Sequence, residues 1–144
     1  MKTKSEIIAF LDRVPLFDGL KTRQLEQFAE RFVERTYPSG TEIVTQGHGG
    51  EGFFILVSGA AEIIRELSDG EKVGVNKIGP TDFFGELALL DDGVRTATVK
   101  ATEDSVCLVL TRWDFLGVLK KDADMAIHIL TVLAKRFRRA LDAL

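Results

Sequence analysis

The chain has 144 residues, of which 45% are hydrophobic and 28% are charged. This is the size and balance of one globular domain, and it excludes wholesale disorder. The formal net charge of −3 argues against general electrostatic binding to nucleic acid. Charged residues interrupt every apolar stretch before it is long enough to cross a membrane, so no membrane partner is expected.

The cysteine and histidine counts bear on the compartment and on metal chemistry. Cys107 is the single cysteine, which excludes an intrachain disulfide and fits a reducing compartment. The two histidines, His48 and His128, cannot form a histidine-rich metal centre between them. We therefore expect a cytoplasmic protein without a metal ion or a cofactor.

Two short helices are predicted at the N-terminal end. Thr3 and Glu6 have the spacing of a capping box, so a helix should begin there and end before Pro15. A second helix is indicated by an apolar stripe with helical spacing, at Leu25, Phe28, Ala29 and Phe32.

Glycines mark a middle region of short strands. Eleven of the 13 glycines lie from residue 40 to residue 93, and glycine is typical of tight turns. Alternating or continuously apolar segments predict strands at residues 41–46, 53–57, 60–67, 72–78, 95–101 and 105–110. Ser68, Asp69 and Gly70 suit a hairpin turn between the third and the fourth of these strands. Short strands at this spacing favour a β-roll or jelly-roll barrel over an α/β sheet.

Helix returns at the C-terminal end. Thr111 or Asp114 can begin a short helix near residues 115–119, and Asp122 can cap a last helix. An apolar seam with alternating spacings of three and four runs along that helix, at Ile127, Leu130, Ala134, Phe137, Leu141 and Leu144. Because so short a seam seldom dimerises alone, we expect it to pack within the domain. A homodimer through this helix remains the alternative.

Residues 83–99 combine the groups that bind an anion. Gly85 lets the backbone approach a ligand, and residues 86–90 can form one helical turn whose N–H groups and dipole favour negative charge. Arg95 adds a planar cationic fork at the start of the next strand. The anion is most simply a phosphate, and the Glu86 carboxylate beside it would accept a hydrogen bond from a hydroxyl group. The simpler alternative is a structural ion pair between Glu86 and Arg95.

The sequence FGELALL at residues 84–90, followed by RTATVKA at residues 95–101, resembles the phosphate-binding cassette of the cyclic nucleotide-binding domain family. The resemblance covers nearly the whole chain. It implies an α+β, mainly β fold, with an eight-stranded β-roll or jelly-roll barrel flanked by N-terminal helices and by C-terminal hinge and lid helices. We expect a single domain at 1–144, divided into N-terminal helices at 1–35, the β-roll at 36–110 with its cassette at 83–99, and C-terminal helices at 111–144.

The resemblance also implies how a 3′,5′-cyclic nucleotide would be held. Arg95 would pair with the equatorial phosphate oxygens, and Glu86 would accept a hydrogen bond from the ribose 2′-OH. The remaining cassette residues that would form the phosphate site are Phe84, Gly85, Leu87 and Ala88.

Further residues are implied to contact the base. Val73 and Val75 could line the base pocket by alternation on their strand. Thr96 follows the arginine where kinase regulatory subunits have alanine, and threonine there is associated with tolerance of guanine; the alternative is an ordinary strand residue. Arg136 is similar to the arginine with which some channels cap the base; the alternative is one of four cations on a solvated helix face.

Three segments depart from the family pattern. Residues 48–51 read His-Gly-Gly-Glu where the family carries a Gly-Asp…Gly-Asp turn. Asp91 and Asp92 add negative charge near the expected anion site. Ala140 and Leu141 replace the hydroxyl residues with which some members read adenine.

The sequence thus predicts a stand-alone regulatory module that binds cAMP or cGMP and repositions its C-terminal helix to signal to an unidentified protein effector. The alternative is a nucleotide-independent interaction or dimerisation module of the same fold, which the departures favour. An enzyme is not expected, since no nucleophilic triad or Walker-type loop is present. A transcription factor would need a DNA-reading element after the last helix; the chain is too short for one, so no nucleic-acid partner is expected.

Overall fold

The computed structural model describes residues 3–49, 52–91 and 93–144, and of Val75 only the backbone. In these ranges the α-helices are α1 (Lys4–Leu11), α2 (Thr22–Ala29), α3 (Arg112–Lys121) and α4 (Ala123–Asp142). The strands are β1 (Val33–Tyr37), β2 (Glu42–Val44), β3 (Gly52–Ser58), β4 (Ala61–Glu66), β5 (Lys72–Ile78), β6 (Phe83–Phe84), β7 (Thr98–Ala101) and β8 (Ser105–Thr111). Short 3₁₀ turns lie at Pro15–Phe17 and Glu86–Leu89.

The chain divides into a sheet unit, Phe32–Arg112, and a helical unit formed by the residues up to Arg31 and from Trp113 onwards. The sheet unit contains two antiparallel sheets with strand orders β1-β8-β3-β6 and β2-β7-β4-β5. The predicted mainly β fold with eight strands and helices on either side in the chain is confirmed. The prediction of a closed barrel is wrong, because no described strand of one sheet pairs with a strand of the other.

Apolar side chains of β3 and β8 form the core of the sheet unit. Phe54 of β3 packs with Cys107 and Val109 of the neighbouring strand β8. The ring of Phe84 stacks on Phe54, with ring centroids 4.9 Å apart. The strand predicted at residues 53–57 to be buried on both faces is confirmed, except that its last residue is half-buried.

Three aromatic rings form the centre of the helical unit. Phe17, Phe28 and Phe115 lie with ring centroids 5.0 to 6.3 Å apart. The predicted capping box of α1 is confirmed: the Glu6 N–H donates to Thr3 Oγ1, and the Thr3 N–H donates to Glu6 Oε1, both at 3.2 Å. The first helix also ends before Pro15, as predicted.

The N-terminal part of α4 is held within the helical unit. Asp122 caps the helix as predicted, because its Oδ1 accepts a hydrogen bond from the Met125 N–H at 3.0 Å. His128 Nε2 lies 2.6 Å from the carbonyl oxygen of Asp18. Met125 and Ile129 are buried.

The apolar seam of α4 is exposed. The exposed fractions of Leu130 and Phe137 are 64% and 65%, and Ile127, Ala134, Leu141 and Leu144 are exposed as well. The expectation that this seam packs within the domain is therefore wrong, since the face that α4 buries through Met125 and Ile129 is the opposite one. Among the described residues, no helix combines the length and apolar character needed to cross a membrane.

Several element bounds differ from those predicted. β1 was not predicted, because its first four residues are exposed whichever way they point, and the sequence therefore shows no apolar alternation. The strand predicted at residues 95–101 begins at Thr98, because the residues before Thr98 run alongside the loop that precedes β3 instead. The strand predicted at residues 41–46 is only three residues long, and α2 ends before Phe32.

Candidate functional site

Arg95 lies between the loop that precedes β3 and the 3₁₀ turn at Glu86–Leu89, which we call the cassette turn. The Gly47 N–H donates to the Arg95 carbonyl at 2.8 Å, and the Arg95 N–H donates to the His48 carbonyl at 2.9 Å. Its side chain is only 8% exposed, and its Nη2 donates to the Gly52 carbonyl at 2.7 Å. Its Cζ lies 5.8 Å from the centroid of the Phe54 ring, within range of a cation–π interaction. Backbone and side chain are thus both held in place.

Gly85 allows the backbone of the cassette turn to pack closely against the Arg95 side chain. Its φ of +82° lies in the left-handed region, which glycine adopts without steric cost. A Cβ at this position would lie 2.6 Å from Arg95 Nη1 and 2.7 Å from the Gly52 carbonyl oxygen. The Ala88 N–H donates to the Gly85 carbonyl at 3.0 Å. The helical turn predicted for residues 86–90 is confirmed as a 3₁₀ turn, and only glycine fits before it.

The cassette turn and Arg95 line an open cavity of about 390 Å³, which we call the cassette cavity. Its lining brings together most of the sequence-predicted phosphate and ribose residues, namely Gly85, Glu86, Leu87, Ala88 and Arg95, with Thr96 beside them. An anion in this cavity would meet a buried guanidinium and the amino end of a helical turn, both of which favour negative charge.

Within the described part of the sheet unit, two predicted site residues, Phe84 and Val73, do not line the cassette cavity. Phe84 stacks on Phe54 and belongs to the core beneath it. Val73 lies on β5 and is partly exposed. The side chain of Val75 lies outside the described residues. Arg136 lies on α4, in the helical unit.

Asp91, the first residue of the acidic pair, lies at the cassette cavity. Asp91 is exposed and lines the cavity, and its Oδ1 accepts a hydrogen bond from the Gly93 N–H at 3.0 Å. Asp92 lies outside the described residues. A carboxylate therefore stands at the edge of the site, where it would oppose an anion unless solvent screens it.

The divergent loop at residues 48–51 is described only in its first half. His48 accepts the backbone hydrogen bond from Arg95, and Gly49 forms an antiparallel bridge with Val94. Gly50 and Glu51 lie outside the described residues. The described half therefore runs beside the segment that carries the arginine.

Gln46 is a positioning residue that the sequence analysis did not single out. Its Oε1 accepts from the Glu66 N–H at 2.7 Å, and its Nε2 donates to the Glu66 carbonyl at 2.9 Å. Its backbone N–H donates to Thr98 Oγ1 at 2.9 Å. The side-chain amide thus pairs with the end of β4 as the peptide group of a neighbouring strand would. No spacing pattern in the sequence marks such a glutamine.

A second cavity, of about 600 Å³, lies beside the β4–β5 hairpin, and we call it the hairpin cavity. It is lined by residues 46–47, 65–69 and 94–96, and it shares the last of these segments with the cassette cavity. Arg65 brings a second guanidinium there, which was also not predicted. Alternation from Ala61 and Ile63 along β4 is the signal that could have found it.

Comparison with known proteins agrees with this architecture. The family model for the cyclic nucleotide-binding domain matches residues 34–122. The cyclic AMP receptor protein of Thermus thermophilus is 34% identical over 126 residues, which are 88% of this chain and 58% of that protein. A cAMP-dependent protein kinase regulatory subunit of Mycosarcoma maydis is 40% identical over 105 residues, 71% of this chain and 20% of that protein. The chain thus spans less than two thirds of the length of either relative.

A solved structure extends the similarity to the fold. The N-terminal domain of a transcriptional regulator from Streptomyces coelicolor A3(2) superimposes with a TM-score of 0.83 at 30% identity, covering 94% of this chain and 96% of that one. The matched family model includes the cassette turn, Arg95 and the strands that hold them. The chain belongs to the cyclic nucleotide-binding domain family.

Proposed function

We propose that this chain is a regulatory module that binds cAMP or cGMP in the cassette cavity. The main observation behind the proposal is the buried guanidinium of Arg95. It is held against the backbone of Gly85, at the N-terminal end of the cassette turn. The names of two relatives, a cyclic AMP receptor protein and a cAMP-dependent kinase regulatory subunit, support cAMP as one ligand.

In this proposal different residues of the cavity bind the phosphate, the ribose and the base of the nucleotide. Arg95 pairs with the equatorial phosphate oxygens, because a guanidinium presents a planar fork of N–H donors that matches two phosphate oxygens. Glu86 accepts a hydrogen bond from the ribose 2′-OH. The backbone around Gly85, Leu87 and Ala88 completes the phosphate site. Thr96, Val73, Val75 and Arg136 are proposed to contact the base.

Ligand binding is proposed to reposition α4 and so to signal to a protein effector. A ligand shifts a conformational equilibrium only by the difference between its affinities for the two states. Contacts between the base and α4 that exist in one state only would supply that difference. The exposed seam of α4 offers an apolar surface for the effector or for a second copy of the chain.

The direct test is calorimetric titration with cAMP and cGMP, using 5′-AMP as the open-phosphate control. We expect Arg95→Gln to weaken binding by about tenfold or more, since a lost charge-assisted hydrogen bond costs about 1.5–3 kcal/mol. Arg138→Gln, which removes an exposed arginine of α4, is the matched control and should bind as the wild type does. Equal affinity of the wild type and Arg95→Gln would contradict the role of Arg95.

The exposed seam of α4 favours a second candidate, an interaction or dimerisation module that works without nucleotide. Leu130 and Phe137 leave a contiguous apolar surface without a described cover. This candidate predicts that neither nucleotide binds and that the chain self-associates in their absence. The titration above, together with light scattering of the ligand-free protein, distinguishes the two candidates.

We assign no catalytic role to the chain and place it in the cytoplasm. The relatives it matches are a receptor and a kinase regulatory subunit by name, which supports regulation over catalysis. The expectation that the chain itself binds no nucleic acid, drawn from its net charge of −3, stays a prediction; gel-shift titration with duplex DNA tests it.

A further inference from the structure

The hairpin cavity adjoins the cassette cavity at Arg95. The two cavities share Val94, Arg95 and Thr96. A nucleotide whose phosphate sits on Arg95 therefore has a second space, of about 600 Å³, in reach of its base. That volume lies within the usual range for a small-ligand site, about 300–1,000 Å³.

Arg65 projects from the core-facing side of β4. Ala61 is buried and Ile63 packs against the core of the sheet unit. Side chains two residues apart on a strand share a face, so Arg65 continues this face to where the core gives way to the cavity. Its side chain makes no hydrogen bond or ion pair with a described residue, and it lines the cavity beside Thr96.

The backbone of Arg65 is held from both sides. It pairs in register with Val73 of β5, and the next residue, Glu66, is bonded through both backbone groups to the side chain of Gln46. A fixed backbone limits the positions that the guanidinium can occupy, which is what a directional contact requires.

The charges around the cavity favour a directional contact over general attraction. Glu66 and Asp69 line it together with Arg65 and Arg95, so two carboxylates offset two guanidiniums. An effect of Arg65 on a ligand must then come from the hydrogen bonds that it makes. A guanidinium donates two parallel N–H bonds to two adjacent acceptors.

We propose that Arg65 selects the base by donating to O6 and N7 of a 6-oxopurine, and so raises the affinity for guanine-type cyclic nucleotides relative to adenine-type ones. Guanine presents two acceptors on this edge, whereas adenine presents N7 and an N6 amino donor, which opposes one of the two N–H groups. This inference rests on the proposed function, because it needs the phosphate on Arg95.

The test is calorimetric titration of the wild type, Arg65→Gln and Lys72→Gln with cGMP, cyclic IMP and cAMP. Cyclic IMP keeps O6 and N7 but lacks the 2-amino group, so it separates an Arg65 contact from any contact at that group. Lys72 is also on the hairpin, but it lines a different cavity with Lys100 and Thr98 and is the matched control. Melting temperatures without ligand verify that the variants fold.

Arg65→Gln is expected to weaken cGMP and cyclic IMP alike, by about 5- to 150-fold, the range for a bidentate contact to a base. Its affinity for cAMP should stay close to that of the wild type, and Lys72→Gln should leave all three ligands unaffected. Equal weakening of the three ligands would mean general attraction of an anion and overturn the inference. The inference would also be overturned if Arg65→Gln bound all three ligands as tightly as the wild type, or if it weakened the binding of cGMP but not that of cyclic IMP. If the wild type binds none of the three, the proposed function itself fails.

Discussion

Gly85 and Arg95 approach so closely that a Cβ on Gly85 would stand 2.6 Å from Arg95 Nη1. The backbone of the cassette turn therefore rests against the guanidinium itself. A phosphate bound by the arginine would be within reach of that turn without a large rearrangement. The same closeness makes the glycine intolerant of substitution.

We expect Gly85→Ala to lower stability and to abolish nucleotide binding. The positive φ costs an L-residue about 1–2 kcal/mol, and the contacts with Arg95 and the Gly52 carbonyl add a steric cost. Gly40→Ala is the matched control, because Gly40 has a φ of +89° and no atom near its missing Cβ. It should lose stability through φ alone and keep its affinity. Urea denaturation and calorimetry measure both quantities; equal behaviour of the two variants would contradict this account.

Gln46 is expected to matter for the stability of the fold although it carries no charge. Gln46→Ala removes both hydrogen bonds to the Glu66 backbone and should cost about 1–3 kcal/mol, at about 0.5–1.5 kcal/mol each. Gln46→Glu can still accept from the Glu66 N–H but cannot donate to its carbonyl, so an intermediate loss is expected. If the Glu variant is as stable as the wild type in chemical denaturation, the donor half of the pair contributes nothing.

The Cys107 thiol should be inert in the native protein. It is fully buried, and burial raises its pKa to about 11. Because the folded state holds the thiol proton more tightly than the unfolded chain does, Cys107 leaves the free energy of unfolding unchanged below the unfolded-state pKa and lowers it as the pH rises toward 11. Labelling with a thiol reagent at pH 8 should therefore require unfolding, and its rate should follow denaturant concentration. Fast labelling of native protein would contradict the burial.

The seam of α4 should control self-association without affecting folding. Phe137 is 65% exposed, so Phe137→Lys removes apolar surface without opening a cavity and should leave the melting temperature nearly unchanged. If two copies pair through this seam, the variant is expected to be a monomer at concentrations where the wild type dimerises. Sedimentation equilibrium measures this, with Arg138→Gln as the control. A wild type that stays monomeric at all concentrations would exclude the homodimer.

Local signals in the sequence predicted the local structure well. Thr3 and Glu6 predicted the α1 cap because a capping box depends on residues three apart. The turn after Gly85 followed from adjacent residues in the same way. Arg95 and Gly52 lie 43 residues apart in sequence, and Gln46 and Glu66 lie 20 apart. Such contacts depend on how the sheets pair, which no single segment specifies.

The α4 seam shows where pattern alone was insufficient. Its spacing of three and four fits equally well a helix packed on its own domain and one that faces a partner. The choice depends on which face the rest of the fold covers. In α4 the covered face is that of Met125 and Ile129, which are buried and are not part of the seam.

The hydrogen bond between Arg95 and the Gly52 carbonyl joins the two ends of a long stretch of chain. In the folded chain the rest of the sheet unit offsets the configurational entropy of closing this loop, whereas a peptide of residues 83–99 lacks Gly52 and cannot make the bond. The cassette is therefore not a portable motif, and grafting it onto another scaffold should transfer little affinity. Conversely, a ligand that binds only the arrangement in which this hydrogen bond is formed should slow hydrogen exchange in β3 as well as in the cassette turn.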